Sequence, residues 1–314
     1  TENPFRENYY ASRDIVGELT KAVRAKGMKM GLYYSSGLDW TFNNHTIKTF
    51  QDLFMAVPQD EKYVQYIDTH WRELMDRYQP SVLWADIGSP QSYDPVKMIA
   101  DFYNKNPEGV VNNRHKMQMT AEGFGSPIHH DFLTPEYQIL DSISTKKWET
   151  CRGIGLSFGY NRMEDVAEFL SVEELIESFI DIVSKNGNLL LNVGPQADGT
   201  IPEGQRVRLE GLGKWLKTNG AAIFGTRPWV QATATTSSGE RVRFTQKGND
   251  LYVILLDTPK DKELKINELP IRKTGKLTSL ATGKKVKHTL KDGTLSFSFS
   301  EPASEAHAFR LKLK

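Results

Sequence analysis

Two carboxyl groups and a guanidinium stand where chemistry could gather. Asp86 closes the apolar run Ser81-Val82-Leu83-Trp84-Ala85-Asp86-Ile87-Gly88, Glu136 lies in Leu133-Thr134-Pro135-Glu136-Tyr137, and Arg114 ends Gly109-Val110-Val111-Asn112-Asn113-Arg114. In parallel β/α folds the C-terminal ends of the strands face the reaction centre, so an acid there is a candidate nucleophile or base. The plainer reading is an Asp that caps the following turn or helix. Glycoside hydrolysis needs a second carboxyl group: one protonates the leaving oxygen, the other acts at the anomeric carbon or activates water. Glu136 is the candidate for that second role, or else an ordinary solvated loop acid. Arg114 can fork onto sugar hydroxyls or simply pair with a carboxylate.

The elements that must hold these groups alternate between helix and strand. Ile15, Val16, Leu19, Ala22 and Val23 recur at helical spacing and stop at Lys26-Gly27, and a strand is expected over residues 28–35. Residues 36–59 read as a long aromatic loop. The stripe Val64, Ile67, Trp71, Leu74 and Tyr78 predicts a helix leading into the strand that ends at Asp86. A helix over 96–104 and a strand over 109–114 come next, and then a polar connection over 115–150, of a length that is usually functional. A strand is expected over 153–160. Ser171-Val172-Glu173-Glu174 opens a capped helix, a buried strand follows over 188–195, and Pro202 starts the last helix. After Gly225 short alternating segments separated by turn signals predict an antiparallel β-sandwich. Its charged strands, such as Arg241-Val242-Arg243, read as a solvated face. The fold class is therefore α/β, residues 1–225 forming a (β/α)8-type barrel domain and 226–314 a sandwich. Only about five strand–helix units are legible where a closed barrel needs eight.

Composition narrows the partners. With 314 residues, 39% hydrophobic and 25% charged, the chain suits about two globular domains with a sizeable core. Forty basic against 39 acidic side chains leave a formal charge of +1, which offers no electrostatic pull toward nucleic acid or an anionic membrane. No stretch approaches the roughly 20 apolar residues that span a bilayer. The single cysteine, Cys151, allows no intrachain disulfide and has no His/Asn constellation around it, so burial is its expected fate. His129-His130-Asp131 lacks the usual ligand spacing for a metal. Gly153-Ile154-Gly155 lacks the spacing of a dinucleotide loop, so neither metal nor cofactor is expected. Asn44-His45-Thr46 matches a glycosylation sequon, a match chance supplies in a chain this long. Neither the cysteine nor the start at Thr1, with no Met and no signal-peptide pattern, assigns a compartment; something upstream is expected to have been removed.

Several motifs in one order carry a family resemblance. Leu83-Trp84-Ala85-Asp86-Ile87-Gly88, Asn112-Asn113-Arg114, Trp148-Glu149 with the run from Gly153 to Asn161, and Asn188 to Pro195 followed by Asp198-Gly199-Thr200-Ile201-Pro202 resemble the α-L-fucosidases of glycoside hydrolase family 29. Gly31-Leu32-Tyr33-Tyr34-Ser35 and the closing sandwich extend the likeness over essentially the whole chain. The resemblance implies cleavage of terminal α-L-fucose from glycoconjugates with retention, through a covalent fucosyl-enzyme. It places the nucleophile on Asp86, the acid/base on Glu136 and sugar contacts on Tyr33, Arg114 and Phe158. Phe158 and Trp148 would bound the apolar side of the sugar, the alternative for both being core packing.

Two departures set further expectations. Gly88-Ser89-Pro90 stands where many relatives carry Gly-Trp-Pro, so an aromatic at the rim is lost. The family's amino-terminal third, with its paired-histidine strand, has no counterpart here, and His129-His130 belongs to a different motif. The barrel is thus expected to be incomplete in this chain alone. Its first strand would be covered by an upstream fragment, by a partner subunit in a homo-oligomer, or by the chain's own amino-terminal segment. A non-catalytic sugar-binding or structural fragment is the competing class.

Overall fold

The computed structural model describes residues 1–120 and 123–314, which form two units, Thr1–Thr134 and Pro135–Lys314. In the first, helix α1 (Ile15–Ala25) begins at Asp14, whose carboxylate accepts from the Gly17 amide, and ends at Lys26. Strand β1 (Gly31–Ser35) follows. The stretch 36–59 is not loop throughout: helix α2 (Phe50–Met55) forms within it, started by a reciprocal capping box between Thr49 and Asp52. Helix α3 (Glu61–Tyr78) buries Tyr63, Ile67, Trp71 and Met75 along one stripe. It stops at Gln79, whose φ of 47° is left-handed, directly before Pro80.

Strand β2 (Val82–Asp86), helix α4 (Val96–Lys105) and strand β3 (Val110–Val111) complete the parallel part. Strands β4 (Gln118–Thr120), β5 (Gly123–Gly125) and β6 (Phe132–Leu133) lie in the long connection, of which residues 121–122 are outside the described residues. The sheet order is β1-β2-β3, with Tyr33 opposite Trp84 and Ser35 opposite Asp86. Successive side chains alternate between faces. Leu83 and Ala85 are fully buried with the α3 stripe, with Met98, Ile99 and Phe102 of α4, and with Val111. Burying such a set, at about 1.5–3 kcal/mol for each large side chain, fixes which face of β2 is left for chemistry.

In the second unit, strand β7 (Lys147–Gly153) pairs in parallel with β8 (Gly187–Asn192), Trp148 opposite Gly187. The strand expected over 153–160 therefore sits earlier in the chain, because Trp148, Thr150 and Cys151 are the residues that bury. Residues 154–160 are irregular. The Glu164 carboxylate accepts from the Leu156 and Ser157 amides, and a Cβ on Gly155 would collide with that carboxylate. Helix α5 (Val172–Ser184) carries the expected capping box, Ser171 with Glu174. Helix α6 (Glu203–Asn219) has Pro202 at its cap.

The antiparallel part starts at β9 (Arg227–Thr235), where the sequence pattern changes; the unit boundary lies earlier, at Thr134. Strands β10 (Arg241–Lys247), β11 (Asp250–Leu255), β12 (Glu263–Ile266), β13 (Thr274–Ser279), β14 (Lys285–Val286), β15 (His288–Lys291), β16 (Thr294–Ser298) and β17 (His307–Leu313) follow. They build a six-stranded sheet in the order β14-β13-β17-β11-β10-β9 and a three-stranded one in the order β12-β16-β15. One core unites the sheets, Phe244, Val253, Leu277 and Phe309 from the larger with Leu264, Ile266, Leu295 and Phe297 from the smaller. The larger sheet's other face, Tyr252, Ile254 and Ala308, packs on Ile176 and Ile180 of α5 and Trp215 of α6. Arg241 pairs with Glu177 and Asp257, and Arg243 with Asp181.

Candidate active site

Asp86 is the last residue of β2, and the chain turns sharply after it. Ile87 adopts φ 60° and Gly88 φ 74°. A β-branched residue in the left-handed region is an outlier of the kind that collects at functional sites. The turn is held from the residue just after β1: the Ser36 hydroxyl donates to the Gly88 carbonyl at 2.9 Å. A Cβ on Gly37 would stand 2.6 Å from the Ile87 carbonyl oxygen, so only glycine allows this approach.

Three donors converge on the Asp86 carboxylate. The Tyr33 hydroxyl donates to Oδ2 at 2.7 Å, the Arg114 Nη1 to Oδ1 at 2.8 Å, and the Ile87 amide to Oδ1 at 2.9 Å. Burial of the hydroxyl, and then its bond to Asp86, push the Tyr33 phenol well above its ordinary range. It therefore stays a neutral donor although 59% of the residue is exposed. Trp84, two residues before Asp86 and on the same face of β2, stacks on Tyr33 with centroids 5.4 Å apart. The Arg114 guanidinium lies 4.9 Å from the Trp84 ring centroid. Carboxylate, phenol, indole and guanidinium thus share one small region of the first unit.

The Asn112-Asn113-Arg114 motif builds the other wall, each residue by a different bond. Strand β3 is shorter than the expected 109–114 because the Asn112 side chain replaces the backbone ladder. Its Oδ1 accepts from the Ala85 amide and its Nδ2 donates to the Ala85 carbonyl, both at 2.9 Å, with the residue 1% exposed. Asn113 Oδ1 accepts from the Thr134 amide at 3.0 Å and its hydroxyl at 2.8 Å. Arg114 donates through Nε to the Thr134 hydroxyl at 2.8 Å and through Nη2 to the Thr134 carbonyl at 2.6 Å. The guanidinium is therefore clamped on one edge and offers Nη1 to Asp86. His115 behind it is buried against Leu83, its Nε2 3.2 Å from that carbonyl, and burial lowers its pKa to about 4.

The remaining candidates belong to the second unit. Glu136 is exposed and bridges in parallel to Cys151 of β7, the Cys151 amide donating to Pro135 and the Tyr137 amide to Cys151. Phe158 is 40% exposed and packs on Tyr137 with centroids 5.3 Å apart. Trp148 differs from them: it is fully buried, its Nε1 donates to the Lys185 carbonyl, and a Cβ on Gly187 would collide with its ring at 2.5 Å. Core packing, the alternative for Trp148, is what that burial fits. Cys151 is buried. The Asp131 carboxylate of the His129-His130-Asp131 stretch accepts from the Val111 amide and the Tyr103 hydroxyl. Among the described residues no cluster of three or more metal-ligating side chains occurs. Among the same residues no helix is long and apolar enough to cross a membrane.

Trp84 and Thr134 were not expected to take part. Trp84 had a signal, its i, i+2 relation to Asp86 on a strand. Thr134 had none, since only the fold brings it to Arg114.

Parallel β/α units, one of them ending in an acid beside a guanidinium and aromatic faces, and antiparallel sheets later in the chain define the class as an α/β protein. The comparisons narrow the class to a family. The family profile described as Alpha-L-fucosidase matches residues 6–221, and the chain belongs to that family. The alpha-L-fucosidase of Branchiostoma floridae is 34% identical over 80% of this chain and 55% of its own. The tissue alpha-L-fucosidase of Bos taurus is 32% identical over 88% of this chain and 58% of its own. The Thermotoga maritima alpha-fucosidase in complex with a mechanism-based inhibitor is 40% identical, with a TM-score of 0.84, over 96% of this chain and 68% of that one. The same enzyme with fucose gives 40% identity and a TM-score of 0.83 over 95% of this chain and 68% of that one. The chain thus spans little more than half the length of the first two relatives.

Proposed function

We propose that the chain carries the nucleophile-bearing part of a retaining exo-α-L-fucosidase acting on terminal α-L-fucosyl groups of glycoconjugates. The observation that carries this reading is the Asp86 carboxylate at its strand end, bonded to Tyr33 and Arg114 and flanked by Trp84. In this reading Asp86 attacks the anomeric carbon. Glu136 protonates the departing oxygen and then takes a proton from the water that hydrolyses the fucosyl-enzyme. Arg114 and Tyr33 aim the Asp86 oxygens and release them to the sugar as the bond forms, while Trp84 and Phe158 offer apolar faces to the ring. Trp148 supports β7 from the core. The parallel strands are read as part of a (β/α)8-type barrel with domains at 1–225 and 226–314, completed in the working protein by further chain or by a second copy. The substrate is a fucosylated oligosaccharide or glycoconjugate.

An aryl α-L-fucoside tests the reading. Release of L-fucose whose first-formed anomer is α, abolished in Asp86→Ala, is expected. Turnover equal in wild type and Asp86→Ala, with fucose still binding, would make the chain a sugar-binding module instead.

A further inference from the structure

The chain is nearly neutral, yet its charges are unevenly placed. Between Arg272 and Lys291 seven cationic residues occur with no Asp or Glu among them. The fold gathers part of this run into a groove of about 500 Å³, lined by Lys276 of β13, Lys285 and Lys287 flanking Val286 of β14, His288, and Lys314 after β17. All four lysines are exposed. Among the described residues none of them is in an ion pair, whereas Lys312 is held by Asp250 at 3.2 Å. Arg241 and Arg243 of β10, another cationic strand of the sandwich, are likewise neutralised by Glu177, Asp257 and Asp181.

The local geometry keeps the groove open. Val286 is buried, so alternation turns Lys285 and Lys287 outward together. The β13–β17 register shifts between Thr274 and Leu277. Gly275 sits in that irregularity, where a Cβ would lie 3.3 Å from Lys312 Cβ and 3.5 Å from Lys314 Cε. Lysines on an edge strand also discourage sheet-to-sheet pairing. That role accounts for Lys285 or Lys287, but not for cations arriving from β13 and from the end of β17.

The groove's chemistry selects its ligand. No Phe, Tyr or Trp occurs between Arg272 and Lys291, so the groove offers no large aromatic platform for stacked bases. The exposed large apolar side chains among the described residues include none from this stretch, so nothing there would enter a bilayer. What is offered is a row of flexible ammonium groups beside the Thr274 hydroxyl and the His288 ring, which lie 3.4 Å apart. Such a row suits sulfate or carboxylate groups spaced along a hydroxyl-rich chain. We propose that this groove binds an anionic polysaccharide and so holds acidic, fucosylated glycans on the protein. The choice of a glycan among polyanions rests on the fucosidase reading above.

Heparin, immobilised, is the probe. The wild-type chain, the variant K276Q/K285Q/K287Q and a control of equal charge change, K214Q/K217Q/K260Q, are compared for heparin affinity and for hydrolysis of an aryl α-L-fucoside. The groove variant is expected to bind heparin about tenfold more weakly, as loss of three exposed ion pairs predicts. The control should stay within about twofold, and hydrolysis should be equal in all three. An equal loss in the control would overturn the site. Duplex DNA or phosphatidylserine vesicles held more tightly than heparin at the same salt would overturn the assignment to a glycan. A chain that hydrolyses no fucoside but loses heparin binding with the groove lysines would sink the fucosidase reading and leave the groove; hydrolysis without heparin binding would do the reverse.

Discussion

Arg114 reaches Asp86 with one guanidinium nitrogen while Thr134 holds the other edge of the same group through its hydroxyl and its carbonyl. The carboxylate is therefore positioned by a side chain that is itself fixed, and among the described residues neither Asn113 nor Thr134 hydrogen-bonds Asp86. Preorganisation of this kind is what a nucleophile needs, because the cost of aiming it falls on folding and not on the reaction.

Arg114→Lys keeps the charge and removes the fork. A lysine cannot bond Thr134 twice and Asp86 once in the same plane. A charge-assisted hydrogen bond is worth about 1.5–3 kcal/mol, so kcat/KM is expected to fall roughly 10- to 150-fold, with the melting temperature somewhat lowered by the lost bonds to Thr134. Steady-state kinetics beside a thermal melt check this. Full activity in Arg114→Lys would show that charge alone suffices.

Asn112→Ala tests the stand-in ladder. The Ala85 amide and carbonyl would lose both partners in a place water does not reach, at about 1–3 kcal/mol for each buried group. The variant should melt several degrees lower, and activity should fall through the displaced strand end. A melting temperature equal to wild type would mean that β2 holds Asp86 without Asn112.

Much of this site was legible from the residues. Asp86 could be placed because Val82-Leu83-Trp84-Ala85 is a buried run with an acid at its end, and β2 is observed to end there. Arg114 was legible for a similar reason, although its strand stops at Val111. Helix α2 lies inside the aromatic stretch read as loop, yet that stretch carries a readable sign, the Thr49/Asp52 box. The misplaced strand at 153–160 shows the limit of apolar runs: Ile154, Leu156 and Phe158 look like a strand, but only Ile154 of the three is buried. What no local pattern carries is the meeting of Arg114 with Thr134, twenty residues apart, which exists only once β3 and β6 lie side by side.

Acid should destabilise the fold through His115. Its folded pKa, lowered to about 4 from 6.5 by burial, means that the unfolded chain binds the proton more readily. The stability this neutral imidazole contributes is complete above pH 6.5 and is lost as pH falls toward 4, by on the order of 3 kcal/mol. His115→Gln removes the titration. Urea midpoints measured across that window should fall more steeply with acid in wild type than in His115→Gln. Parallel curves would assign the acid sensitivity elsewhere.

Azide rescue separates the two carboxyl roles. If Asp86 is the nucleophile, Asp86→Ala leaves a cavity beside the anomeric carbon on the face opposite the leaving group. Azide entering it attacks once, and the product is a fucosyl azide of inverted configuration. If Glu136 is the acid/base, Glu136→Ala still forms the fucosyl-enzyme from a substrate with a good leaving group but is defucosylated slowly, having no base for the water that attacks the anomeric carbon. Azide needs no base, so it displaces Asp86 in a second inversion and gives the azide of retained configuration. Rates on the aryl fucoside should fall by about 10²–10⁴ in Glu136→Ala, the usual share of general acid–base catalysis, and recover with azide. Proton spectra of the two products decide the matter, since the anomeric couplings of the α and β azides differ. A retained azide from Asp86→Ala, or an inverted one from Glu136→Ala, would exchange the roles.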